Sequence, residues 1–146
     1  MAVQSGIVIE GLDDLKKTLE TVAPREARNL MRSTIHGVAS DIAKQAKSKA
    51  PRGKGNLRKA IKAKRRRPKT PDQPISDVMI ETGRQARNDA FYWRFVEYGT
   101  LNAPAQPFMG PAVDLLRPQV PDIMRKQFGK KLEAFLKRKA KKAARS

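Results

Sequence analysis

The chain has 146 residues, of which 39% are hydrophobic, and it contains no cysteine. This length suits one domain with a modest core, and the lack of cysteine excludes disulfides and thiolate chemistry. No apolar run approaches the ~20 residues that span a bilayer, and the first residues lack the basic and apolar blocks of a signal peptide. We therefore expect a soluble protein made in the cytoplasm, without a membrane partner.

The net charge of +18 is concentrated in two blocks. Residues 47–69 carry twelve Lys and Arg and no acid, and the chain from Arg125 onward carries ten, opposed only by Glu133. Such blocks repel themselves unless they are solvated or paired with a polyanion or an acidic protein surface. The candidate contacts to DNA or to an acidic partner are Lys62, Lys64, Arg65, Arg66, Arg67 and Lys69.

The N-terminal half begins with a strand predicted at residues 6–10 and a helix predicted from the apolar spacing over residues 12–22. A long amphipathic helix is predicted over residues 24–49, because apolar side chains recur there at helical period. Its stripe consists of Ala27, Leu30, Met31, Ile35, Val38, Ala39, Ile42, Ala43 and Ala46. Pro51 disfavours a helical Ala50 and so ends the helix.

The middle of the chain predicts a small, mainly antiparallel sheet. Leu57, Ala60 and Ile61 fit either a helical turn or a strand, and residues 62–69 continue as a cationic strand or arm. Alternation over residues 78–82 predicts a strand that ends at Gly83. Residues 84–89 are polar and predict a loop or hairpin.

Residues 91–100, which we call the aromatic segment, contain five of the chain's eight aromatic residues. Because aromatic side chains bury large apolar areas, we expect most of them to pack in the core. Pro118 and Pro121 break or kink the helix that follows, and a last amphipathic segment ends near residue 136 in a basic tail. The fold class is therefore α+β, with a single domain at residues 1–135 and a C-terminal tail at 136–146.

Catalytic machinery is hard to place in this sequence. His36 is the only histidine and lies on the polar face of the long helix, so no nucleophile–His–acid set forms without it. The carboxylates are scattered singly, which disfavours a metal site. Gly53-Lys54-Gly55 lacks the frame of a phosphate-binding loop. We predict no enzyme activity, no cofactor and no metal.

Three motifs together resemble the neck or tail-completion family of tailed bacteriophages. The first comprises Ala50-Pro51 with Gly55, Asn56, Leu57, Arg58 and Ile61. The second is Phe95-Val96-Glu97-Tyr98-Gly99-Thr100, and the third is Pro107-Phe108-Met109 with Pro111-Ala112. Each motif is weak alone, and their order and spacing give the resemblance, which covers about residues 5–135.

The resemblance implies a structural virion protein of the head–tail junction, made in the host cytoplasm. It implies a ring of identical subunits, with six copies preferred and twelve as the alternative. The ring would join the head connector or stopper to the tail-terminator or tail-tube proteins, and packaged DNA would pass through it. The alternative is a free-standing protein that binds nucleic acid without sequence specificity, which explains the charge and leaves the motifs without a role.

Two motif residues carry physical expectations of their own. Gly99 is expected to adopt a backbone conformation that other residues avoid. Glu97 stands among aromatic residues and, if buried, needs a partner. Either an arginine, with Arg58 and Arg94 as candidates, or backbone amides would serve. Pro107 and Pro111 are expected to rigidify the turn that carries Phe108.

Overall fold

The computed structural model describes residues 17, 22–52, 56–70 and 73–145. The strand predicted at residues 6–10, most of the helix predicted at 12–22 and Gly55 lie outside these ranges. The elements are α1 (Pro24–Lys49), α2 (Asn56–Ala60), β1 (Ile61–Arg66), β2 (Ile75–Ile80), α3 (Trp93–Tyr98), α4 (Met109–Leu116), a 3-10 turn (Arg117–Gln119) and α5 (Val120–Arg145). The α+β prediction is confirmed.

Helix α1 has the bounds that its sequence predicts. Pro24 occupies its first turn, where the missing N–H is not needed. Ala50 is extended, with ψ of 139°, because Pro51 follows it, and its N–H still donates to the Ala46 carbonyl at 2.9 Å. The Arg58 guanidinium donates twice to the Ala50 carbonyl, at 2.9 and 3.1 Å. The C-terminal end of α1 is thereby bonded to α2.

The two strands form an antiparallel hairpin that packs on α1. Residues 57–61 are first helical and then extended, so both interpretations of that segment apply in turn. β1 pairs with β2 from Ile61 opposite Ile80 to Arg66 opposite Ile75. The strand predicted at 78–82 is therefore wrong in its bounds, since pairing begins at Ile75 and ends at Ile80.

Side chains alternate between the two faces of the hairpin. Ile61 is buried, and Ala63 and Val78 pack with it against the core. The opposite face carries two ion pairs, which join the Lys62 ammonium to the Glu81 carboxylate at 2.9 Å and Arg66 to Asp77 at 2.6 Å. The cationic segment, predicted as a strand or an arm, is a strand as far as Arg66, and part of its positive charge is neutralised within the hairpin.

The core consists of two clusters that share α1. The first cluster contains Ala43, Ala46, Ala50, Leu57, Ala60, Ile61, Ala90, Phe108 and Ala112. The second contains Leu30, Val38, Ile42, Leu116, Val120, Met124 and Phe128. Thr34 is fully buried within the same stripe of α1, and its hydroxyl donates to the Leu30 carbonyl at 2.8 Å. A polar residue is therefore part of the packed face, satisfied by its own helix.

The C-terminal helix is confirmed, and the prolines break the helical run as predicted. One turn has 3-10 geometry, after which α5 continues without interruption from Val120 to Arg145. The apolar pattern ends at Leu136, and the basic tail that follows it is helical as well. Alanine, lysine and arginine have high helix propensity, so the basic tail forms helix without an apolar face.

Gly37 of α1 lies against the Gln127 side chain of α5. A Cβ atom at this position would collide with the Gln127 side chain. Gln127 crosses there to donate to an Asp41 carboxylate oxygen at 2.8 Å. The glycine costs α1 roughly 1 kcal/mol of helix propensity, and in return it permits this bond between the helices.

We expect Phe108→Ala to lower the free energy of unfolding by about 3–5 kcal/mol, because its fully buried ring fills the first cluster. Phe95→Ala removes the same ring from a side chain that is 59% exposed and should change stability by less than about 1 kcal/mol. Urea denaturation of both variants measures the difference. Equal losses would contradict the assignment of Phe108 to the core.

Candidate assembly surface

The aromatic segment forms a short helix that turns much of its apolar surface outward. Phe91, Phe95 and Tyr98 are 67%, 59% and 66% exposed, so the prediction that they pack in the core is wrong. In α3 the inward positions are i, i+3 and i+4, which are taken by Trp93, Val96 and Glu97. Helical spacing in α3 therefore places the Glu97 carboxylate inside and the rings of Phe95 and Tyr98 outside, while Phe91 lies in the turn that precedes the helix.

Glu97 is buried and binds the N-terminus of α4. Its Oε2 accepts hydrogen bonds from the backbone N–H groups of Phe108 and Met109 at 2.8 and 3.0 Å, and its Oε1 accepts one from Gly110 at 2.9 Å. Of the two kinds of partner that the sequence left open, backbone amides are the ones present. A carboxylate at this end of a helix is favoured by the helix dipole.

The two arginines considered as partners of Glu97 lie elsewhere. Arg58 is committed to the Ala50 carbonyl. Arg94 lies over the Trp93 ring, with 5.4 Å between its guanidinium carbon and the ring centroid. Of the two alternatives, the backbone amides apply and the arginines do not, because the three N–H groups already satisfy the Glu97 carboxylate.

Gly99 ends α3 and begins a tightly bonded loop. Its φ of +77° belongs to the left-handed region, as its sequence context predicts, and a Cβ there would lie 2.7 Å from the Ala105 nitrogen. The Gln106 N–H donates to the Val96 carbonyl at 2.8 Å, which closes the loop at its base. Only glycine fits this position.

The tip of the loop is a small hairpin that presents an apolar side chain. Thr100 and Ala103 form an isolated antiparallel bridge, and the Thr100 hydroxyl oxygen accepts hydrogen bonds from the N–H groups of Asn102 and Ala103 at 3.3 and 3.1 Å. Leu101 stands at the tip and is fully exposed. Its exposure is imposed by the bonded turn around it.

An open cleft of about 360 Å³ lies between this loop, α3 and the start of α2. Its lining residues are Pro51, Arg52, Leu57, Tyr92, Phe95, Val96, Thr100, Ala103, Pro104 and Gln106. We call this cleft, together with the exposed side chains of Phe91, Tyr98 and Leu101 in the adjoining segment, the aromatic surface. Large exposed apolar groups that occur together mark interaction sites.

The structure brings the three motifs together, partly in the aromatic surface and partly in the core beneath it. Leu57 of the first motif is buried at the floor of the cleft, while Asn56 beside it is exposed. The third motif supplies Phe108 to the core below, with Pro107 exposed and Pro111 half-buried. Sequence reasoning missed Leu101 and the residues 103–106, whose only signal was a short apolar, proline-containing stretch after Gly99.

The basic residues singled out from the sequence lie on the hairpin rather than in the cleft. Lys62, Lys64 and Arg66 share one face of β1, and Arg65 lies on the other, towards α1. Arg67 and Lys69 follow the strand and are exposed. The basic set is thus divided between the two faces of the hairpin.

Two features are absent from residues 17, 22–52, 56–70 and 73–145. No helix in these ranges combines the length and the apolar character that crossing a bilayer requires. They also hold no group of three or more His, Cys, Asp or Glu side chains placed to share a metal ion.

Comparison with protein families matches residues 13–99 to the family described as "Bacteriophage HK97-gp10, putative tail-component". The match spans more than half of the chain, and the chain belongs to this family. No curated protein and no solved structure gives a significant match. The family consists of phage tail components, a structural class of virion protein rather than an enzyme class, whose members interact with other virion proteins.

We expect Glu97→Gln to lower the free energy of unfolding by about 1–3 kcal/mol. The substitution removes the charge that three amides bind and turns an amide group towards those donors. Glu133→Gln is the matched control, because Glu133 is exposed and pairs with Lys137 across one helical turn. A loss in Glu97→Gln no larger than in the control, measured by urea denaturation, would contradict the capping role.

Proposed function

We propose that this tail component completes the head–tail junction as a ring of identical subunits. Six copies are preferred and twelve are the alternative. The ring joins the head connector or stopper to the tail-terminator or tail-tube proteins, and packaged DNA passes through it. The observation that carries the proposal is the aromatic surface, a preformed apolar site built from the motifs of the family.

The composition of the aromatic surface supports a protein partner. Tyr and Phe are enriched where interfaces lose water, and they contribute most of the binding energy there. Phe91 and Tyr92 meet edge to face, with 5.7 Å between ring centroids, so part of the surface is already ordered. The loop that carries Leu101 is bonded at its base and at its tip. Little conformational entropy remains to be lost when a neighbour binds.

The shape of the aromatic surface supports a head-to-tail contact. A cleft is complementary to a protruding side chain rather than to another cleft, so the two sides of such a contact differ. Contacts of this kind close into rings when the rotation between subunits permits. A closed ring of head-to-tail subunits has a central opening, which suits a junction through which a single DNA molecule runs.

The basic hairpin has a role in this proposal as the lining of the DNA channel or as a contact to an acidic neighbouring ring. Lysine and arginine contacts to phosphate are independent of sequence and weaken as salt rises. The alternative function, non-specific binding of nucleic acid by the free protein, is favoured by the exposed Arg67 and Lys69. Tight binding of free DNA by the monomer at physiological salt would favour that alternative.

We expect Phe95→Ser/Tyr98→Ser to abolish head–tail joining while the fold persists, because both side chains are exposed in the isolated subunit. A phage with a stop codon early in this gene is complemented with the variant, and lysates are viewed by negative-stain microscopy. DNA-filled heads beside separate tails, or tails whose upper ends fail to join, are the expected particles.

Leu115→Ser/Leu136→Ser is the matched control, since these leucines are 46% and 53% exposed and lie outside the aromatic surface. It should restore infectious particles. Circular dichroism and sedimentation of the purified variants separate loss of assembly from loss of folding. Normal particles from the stop mutant itself would overturn the joining role, and normal particles from Phe95→Ser/Tyr98→Ser would overturn the assignment of the surface.

A further inference from the structure

His36 lies half-buried where α1, the hairpin and α5 meet. Its Nδ1 is 3.4 Å from the Ser76 hydroxyl of β2. One turn away on α1, the Ser33 hydroxyl accepts a hydrogen bond from the Lys131 ammonium of α5 at 2.7 Å. Arg65 of β1 stands directly opposite Ser76 in the hairpin, so the two side chains share a face. We call these five residues, contributed by four elements, the His36 junction.

The charges that act on His36 are positive. Partial burial lowers the pKa of His36 below its ordinary value, and the charges of Arg65 and Lys131 lower it further. The imidazole is therefore mostly neutral at pH 7, and an anion placed among these groups would favour its protonated form.

The nearby carboxylates are engaged with other partners. Asp77 of β2 lies on the opposite face of the hairpin from Ser76 and is paired with Arg66 at 2.6 Å. Asp41, further along α1, accepts a hydrogen bond from Gln127 of α5 at 2.8 Å. The His36 junction thus joins two cations, an imidazole and two hydroxyl groups without a carboxylate bound to any of them among the described residues.

Helix α5 carries further positive charges along the side that contributes Lys131 to the junction. Lys131, Arg138, Lys142 and Arg145 recur at spacings of seven, four and three residues, which places them along one side of the helix. The row rises about 21 Å, at about 1.5 Å per residue. Glu133 lies on the other side and pairs with Lys137 at 3.3 Å.

We propose that the His36 junction binds a backbone phosphate of duplex DNA and that the row on α5 follows the neighbouring phosphates. The guanidinium, ammonium, hydroxyl and protonated imidazole groups are all hydrogen-bond donors to phosphate oxygens. A regular row of cations fits a polymer that carries one charge per about 1.7 Å of its axis. The inference rests on the part of the proposed function in which DNA passes this protein, and it does not depend on the number of subunits.

The decisive measurement uses the fact that His36 is the only histidine of the chain. Its imidazole Hε1 gives one resolvable proton NMR signal, whose titration yields the pKa of His36 directly. The titration is run on the free protein, with a short duplex DNA, with inorganic phosphate and with polyglutamate, all at matched ionic strength. We expect duplex DNA to raise the pKa by about one, as an opposite charge within hydrogen-bonding distance does.

Charge-matched variants test the junction against the total charge. Arg65→Gln/Lys131→Gln removes two cations from the junction, and Arg84→Gln/Lys126→Gln removes an exposed arginine and an exposed lysine outside it. We expect the junction variant to abolish the DNA-induced rise in the pKa and to lower DNA affinity roughly tenfold more than the control. The slope of log affinity against log salt should fall by about 1 for the one phosphate released.

Three results would overturn the inference. If DNA fails to bind, or binds without changing the pKa of His36, the proposed contact between a DNA phosphate and the junction is contradicted. Equal losses of DNA affinity in the two double variants would show that affinity depends on the net charge of the protein and not on the junction. A rise with inorganic phosphate or polyglutamate alone would assign the site to a free anion or an acidic protein. All of these results are compatible with particles that join normally in microscopy, so failure here is separate from failure of the proposed function.

Discussion

The aromatic surface depends on the hydrogen bonds between the buried carboxylate of Glu97 and the backbone amides at the start of α4. Its three bonds to the amides of residues 108–110 connect the end of α3 to the start of α4 across the whole loop. An unpaired charge would be too costly to bury, so these amides have to be where the carboxylate is. The position of Phe108 in the core follows from the same bonds. Core packing and surface geometry are thus set by one residue.

Helix α1 connects this arrangement to the rest of the molecule. The C-terminal part of α1 packs in the first cluster, with Ala43 and Ala46, and its N-terminal part packs in the second, with Leu30 and Val38. Small residues at one end admit the hairpin and α2, and larger ones at the other end hold α5. A single helix therefore connects the part of the fold that carries the aromatic surface to the part that carries the His36 junction.

Local rules in the sequence predicted some parts of this structure and failed for others. The bounds of α1 follow from Pro24, Pro51 and an uninterrupted stripe. The outward rings of α3 could not be found from hydrophobicity, because helical spacing and the Glu97 bonds decide which side faces inward. The helical tail was missed because propensity alone sustains it. The motifs located the aromatic surface, but its loop tip at Leu101 depends on bonds that only the folded chain shows.

The last nine residues of α5 hold like charges at i and i+4, in the pairs Lys137–Lys141, Arg138–Lys142 and Lys141–Arg145. Each such pair destabilises the helix by about 0.2–0.5 kcal/mol, and salt screens the repulsion. Rising ionic strength therefore favours the helical form of this end while weakening its attraction to any polyanion. Salt therefore has two opposite effects on this end of α5. It weakens the attraction to a polyanion, and it stabilises the helix that carries the positive charges.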